Sequence, residues 1–151
     1  MTAPRTIVVC VPRPLFAPSA LEQRARHLVD AAIQRGCDAT VVSLPCGTDA
    51  LRLSRDGALA WTLVDLSDLG TGQVPDTAIC LHPDALFVHH PTRVAWLPPG
   101  SEADVGTQRA LRTRRPGEPE PRVVASDADT DAVIDVAFAA AVPSRRAMAS
   151  R

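Results

Sequence analysis

The chain contains no lysine, no asparagine and no tyrosine, and each absence closes a chemical route. Without lysine there is no amine for a Schiff base and no P-loop cation for a triphosphate. Without asparagine there is no acceptor for an N-linked glycan. Aromatics make up only 3% of the 151 residues, so the core has to be built from Ala, Val and Leu. No apolar run approaches the ~20 residues of a membrane span. The start, "MTAPRTIVVCVPRP", has too short an apolar run, broken by proline, for a secretory signal. A cytoplasmic protein is the expectation. The four cysteines, Cys10, Cys37, Cys46 and Cys80, form no CxxC pair and no zinc spacing. They read as reduced core thiols, with Cys10 and Cys80 acting as small hydrophobes inside apolar runs.

What is present points to a small globular domain. All sixteen basic residues are arginine and seventeen acids offset them, for a net charge of −1. That balance argues against nucleic acid or an anionic membrane as a partner. An arginine-only basic set suggests GC-rich coding and a bacterial source. The length fits one domain, residues 1–151, able to bury about 70% of the surface its unfolded chain exposes. A core of that size needs neither disulfide nor metal.

Local patterns then give an order of elements. "TIVVCV" (6–11) is a continuous β-branched run, the mark of a strand covered on both faces, ending at the proline-stiffened "PRPLFAP". "SALEQRARHLVDAAIQRG" reads as a helix. Ser19 and Glu22 are spaced as a capping box, and Gly36 is placed to terminate it. Leu21, Ala25, Leu28, Val29, Ala32 and Ile33 form its apolar stripe, opposite Gln23, Arg26, Asp30 and Gln34. "DATVVSL" (38–44) is a second strand, so the first forty-odd residues form a βαβ unit with parallel strands. "GALAWTLVDL" (57–66), "DTAICL" (76–81) and "TRVAWL" (92–97) read as further strands, with a short helix at "PDALFV". A flexible Pro/Gly/charged loop follows around 98–121, with 101–113 partly helical. "RVVAS" returns as a last strand, and "DADTDAVIDVAFAAAV" forms a helix with acids in its first turn, before a frayed tail at 143–151. The expected fold is α/β, a single Rossmann-like open parallel sheet with helices on both faces.

Ligands of such sheets bind outside the carboxyl ends of the strands. "PRPLFAPSA", "HPD" (82–84) and "PPGSE" (98–102) should converge there, bringing Arg13 as a cation with His82, Pro98 and Gly100. The GxGxxG fingerprint is absent, which disfavours the common dinucleotide site. His89 and His90 of "HHP" fall on the opposite, amino-terminal edge, and Pro91 holds His90 extended, so the pair reads as a turn. "DADTD" resembles a calcium loop only at its start. Ala132 stands where glycine is required and Phe138 where the closing Glu belongs, leaving an acidic helix start. Trp61 and Trp96 read as core, and His27 and the basic "RTRR" (112–115) as solvated. Neither a metal site nor a cofactor is implied.

"FAPSALEQRARHLVDAAIQRGCDATVVSL" resembles the amino-terminal segment of the retaining glycosyltransferases of family four, which have the GT-B fold. "AICLHPDALFVHHPTRVAWL" is similar to the family segment "FPSYLVRHPNKVVWL", and "DVAFAAAVPSRR" to its "AD-x-vfanS" region. Where the family has a Gly-Gly turn this chain has Ser19 and Ala20, and "PPGSE" replaces a histidine-containing segment. The resemblance covers residues 6 to 146, one half of a GT-B fold, the half that usually holds the acceptor. It implies an acceptor-domain-like subunit of a split or heteromeric glycosyltransferase, paired with a separate nucleotide-sugar-binding chain. Arg13, Ser19, Ala20, His82, Pro98 and Gly100 would then line the cleft, touching a sugar acceptor without supplying a nucleophile. The alternative is a non-catalytic binding, assembly or stabilising module on the same scaffold, and a third is a small independent enzyme.

Overall fold

A computed structural model describes residues 5–14, 20–46, 53–66, 74–112 and 116–149, without the side chains of 14, 46 and 141–149. Five strands, β1 (Thr6–Pro14), β2 (Asp38–Cys46), β3 (Thr77–Cys80), β4 (Arg93–Ala95) and β5 (Arg122–Val123), form one parallel sheet in the order β2-β1-β3-β4-β5. Parallel neighbours need crossovers. These contain α1 (Ala20–Gln34), α2 (Arg55–Thr62), the 3-10 helices η1 (Pro83–Phe87) and η2 (Ser101–Ala103), and α3 (Val105–Arg112); α4 (Thr130–Ala149) ends the chain's described part. The result is the expected α/β Rossmann-like open sheet with helices on both faces. Alternation along β1 serves two cores. Ile7, Val9 and Val11 pack with Leu21, Leu28, Val133 and Ile134 of α1 and α4. Val8 and Cys10 pack on the other face with Trp61 of α2, Leu86 of η1 and Ala110 of α3. Two covered faces are why "TIVVCV" is apolar at every position.

β1 and β2 run further than their prolines suggest, to Pro14 and Cys46 instead of residues 11 and 44. Hydrogen bonding explains the difference. Leu81 and Asp76 donate to the carbonyls of Cys10 and Thr6, so even-numbered residues of β1 face β3. Asp38 donates to Arg5, so odd-numbered ones face β2. Pairing of β1 with β3 stops at Cys10, while pairing with β2 continues to Pro14. Pro12 and Pro14 therefore lack an N–H only where no strand would accept it. By the same register Pro45 points to the open edge of β2.

The segment 57–66 is not a strand. α2 takes Arg55–Thr62, and the apolar run is a half-buried helix with Ala58 and Trp61 inward. Its signal was local: the Ser54 hydroxyl accepts from the Gly57 N–H at 2.9 Å, a proper N-cap. Elsewhere the expectations are adjusted in detail. α1 buries Leu21, Ala25, Leu28 and Ala32, but Ile33 is 53% exposed. Gly36, at φ 82°, ends it as expected. "PDALFV" is a 3-10 helix, and the last strand keeps only Arg122–Val123. Within the segment 98–121, η2 and α3 occupy the stretch 101–112 where partial helix is expected. α4 runs through Pro143 to Ala149. Cys10, Cys37 and Cys80 are buried free thiols, and Cys46's side chain lies outside the described residues. Among the described residues no helix is long and apolar enough to cross a membrane.

One buried carboxylate joins these parts. Asp84, in the first turn of η1, is 1% exposed. Its Oδ1 accepts from the Ser54 N–H at 2.7 Å, at the N-terminus of α2. Its Oδ2 lies 2.0 Å from where a Cβ on Gly57 would stand. Only glycine lets the carboxylate approach the helix start so closely. Gly57→Ala should therefore destabilise the fold by about 3 kcal/mol, despite alanine's better helix propensity. Differential scanning calorimetry should show this as a fall of roughly 6–12 °C in Tm. On an Asp84→Ala background the same substitution should add little, because the clashing group is gone.

Candidate functional site

The strand order puts the topological switch between β1 and β3, where the chain turns one way to β2 and the other way to β4. The carboxyl edge there is stepped. β3 pairs with β1 only to Cys10↔Cys80, whereas β1 and β2 stay paired through Pro14↔Cys46. That overhang of four residues projects about 13 Å beyond the β3 end. It forms a wall beside the loops after β3, β4 and β5.

The sequence-derived site residues distribute unevenly around this step. Arg13 is on the overhang, its side chain 72% exposed, with Nε 4.0 Å from a Glu22 carboxylate oxygen on α1. Ala20 is the exposed first residue of α1. Ser19 lies outside the described residues. His82 follows β3 as expected but turns inward and is 2% exposed. Its Nδ1 accepts the Asp84 N–H at 3.0 Å, capping η1. The ring is thus part of the turn and does not line the cleft. Pro98 is buried, and its carbonyl accepts from Ser101; Gly100 is exposed at φ 90°, a left-handed turn residue opening η2. These two shape the edge through the backbone.

Among the described residues, two open grooves lie along it. One, of about 240 Å³, sits on the α1 side of the overhang, lined by Arg13, Glu22, Arg26, Val41 and Ser43 among others. The larger, of about 530 Å³, wraps over the ends of β4 and β5. Leu97, Pro99, Glu102, Leu111 and residues 123–127 line it. Pro98 and Gly100 bracket the residue that faces this groove, Pro99. The residues after β5 were missed, although the rule that selected the loops after β1, β3 and β4 applies equally to "VASD". A wall of the groove is tied from the other face of the sheet. Arg24 of α1 stacks 3.5 Å over the Trp96 ring and donates to the Ser126 carbonyl at 2.7 Å. Burial lowers the Arg24 pKa from its ordinary value.

The amino-terminal edge is structural. His89 bridges to Asp65, and His90 is buried. His90 Nε2 donates to the Pro75 carbonyl at 2.7 Å, and Nδ1 accepts the Thr92 N–H at 2.9 Å, so "HHP" clamps the entry to β3 against the entry to β4. Arg93 begins β4 and donates to the carbonyls of Leu86 and Pro119, the latter at 3.3 Å. Asp127–Asp131 is a helix start: Asp129 accepts from Ala132 at 2.8 Å. Among the described residues no group of three or more His, Cys, Asp or Glu is arranged to hold a metal.

No protein-family model, no curated protein and no solved structure matches this chain.

Burial pushes His90 below its ordinary pKa, against the opposing pull of the Pro75 and Thr92 carbonyls and of Glu118 and Asp76. The unfolded chain therefore binds the proton first. Its contribution to stability is full above about pH 6.5 and declines as pH falls from there toward the folded-state value. Urea denaturation at pH 7.5 and 5.5 should show this loss in the wild type. His90→Gln should cost about 2 kcal/mol at pH 7.5 and reduce the pH dependence between the two points.

Proposed function

We propose that the chain is the acceptor-side subunit of a split or heteromeric glycosyltransferase, working with a second chain that binds the nucleotide-sugar. The observation that carries this reading is the contrast within the carboxyl edge. Two grooves open there, yet His82, the histidine that stands at that edge, is buried and engaged in its own turn. Open binding surface beside a histidine that is held in a structural turn suits a domain that positions an acceptor while chemistry takes place against a partner. The resemblance of residues 6 to 146 to the acceptor half of GT-B enzymes supports the same assignment, and the grooves extend its cleft from Arg13, Pro98 and Gly100 toward β5.

A second reading, a non-catalytic assembly or stabilising partner, is favoured by one feature. Leu59 of α2 and Leu63 at its C-terminal cap, one turn apart, are both largely exposed and offer an apolar contact surface. The two readings separate in one experiment. The chain is co-expressed with candidate nucleotide-sugar-binding glycosyltransferase chains from its own genome, and any complex is assayed for transfer. On the first reading the two co-purify, and Pro99→Arg in the larger groove raises the KM for acceptor several-fold without breaking the complex. On the second they co-purify, but groove substitutions leave the kinetics unchanged while Leu63→Glu dissociates the pair. Failure to co-purify, with no change in the partner's activity, would reject both.

A further inference from the structure

The groove over β4 and β5 has a chemistry more specific than its position. Its volume, about 530 Å³, lies in the range of small-molecule sites, about 300–1,000 Å³. Leu97 and Val124 belong to the cores of opposite faces, so the floor is formed by apolar side chains held from both sides. Leu111 from α3 and the 64%-exposed Val123 complete an apolar interior. The exposed carboxylates of Glu102 and Asp127 stand at its rim, and no basic side chain is among the described lining residues.

The helix starts nearby do not reverse this polarity. The N-terminus of α3 is capped by Asp104, whose Oδ2 accepts from Thr107 at 3.0 Å. That of α4 is capped by Asp129 and carries Asp131 in its first turn. Each partial positive charge is thus already offset by a carboxylate. Arg24 stands behind the wall, stacked on Trp96 from the α1 side, with a donor directed to the Ser126 carbonyl. Among the described residues an anionic ligand would meet two carboxylates at the rim and no lining cation.

We propose that this groove binds an apolar small molecule bearing an amine, its body on Leu97, Leu111 and Val124 and its ammonium group paired with Glu102 and Asp127. On the transferase reading this ligand is the acceptor, but the binding assignment does not rest on that reading and is tested on the chain alone. A nucleotide-sugar, with its diphosphate, is the wrong charge for this groove.

The test uses three matched probes, 4-phenylbutylamine, 4-phenylbutanol and 4-phenylbutyrate, titrated into the full-length, isotope-labelled chain at pH 7 and followed by amide NMR shifts. The amine should move the amides of Val123–Asp127 and Glu102, and bind about threefold or more tighter than the alcohol, as exposed ion pairs allow. The acid should bind more weakly than the alcohol. The double variant Glu102→Gln with Asp127→Asn should bring the three probes to equal affinity while leaving alcohol binding unchanged. Equal binding of amine and acid by the wild type, shifts confined to other parts of the chain, or no shifts from any probe would overturn the proposal. None of these outcomes bears on whether the chain pairs with a transferase, which co-purification decides.

Discussion

The fold turns on the burial of one carboxylate. Asp84 sits where the end of β3, the 3-10 helix η1 and the start of α2 meet, and a carboxyl group buried there needs hydrogen-bond partners. The Ser54 N–H supplies one directly, and the first turn of α2 supplies a favourable dipole. The dependence is mutual. α2 has eight residues, too few to persist alone, and its docking is what carries Trp61 into the second core. Gly57 is the steric condition for this approach. The same turn fixes His82, whose Nδ1 holds the Asp84 N–H, so the carboxyl edge is built around an anchored structural turn.

The two edges of the sheet have accordingly different characters. At the amino-terminal edge His90 and Arg93 join backbone segments by direct hydrogen bonds, and the polar side chains there are engaged with the protein itself. At the carboxyl edge the strands end at different heights, leaving the overhang of β1 and β2 as a wall and open grooves beside it. Prolines make this step possible. Pro12 and Pro14 remove N–H groups from the side of β1 that β3 no longer covers, which blunts an otherwise sticky edge. The geometry suits binding at one edge and bracing at the other.

Much of the architecture was legible in the sequence because it is encoded by local periodicity. The apolar run of β1, the stripe of α1 and the terminating Gly36 specify a βαβ unit without reference to anything distant. The failures have physical causes. "GALAWTLVDL" lacks alternation as well as a clean helical stripe, and its helical fate is decided by the Ser54 cap and by Asp84, thirty residues beyond Ser54. The prolines of β1 and β2 look like strand breakers until the strand order shows which side each faces. His82 was placed at the correct edge, but the direction of its ring depends on the backbone of Asp84. The larger groove draws on residues from Leu97 to Asp127, from β5, η2, α3 and the loops after β4 and β5, a set no short motif could announce.

These features describe an open parallel sheet with grooves along its carboxyl edge, and the proposed role adds that an acceptor binds there while donor binding falls to another chain. The most direct measurement of that claim is isothermal titration calorimetry of the isolated chain with uridine and guanosine diphosphate sugars. The account predicts no saturable heat up to about 1 mM of either, a weakness of more than about −4 kcal/mol on the binding scale. Saturable binding in the micromolar range by the chain alone would contradict it, because the donor site would then lie within this domain.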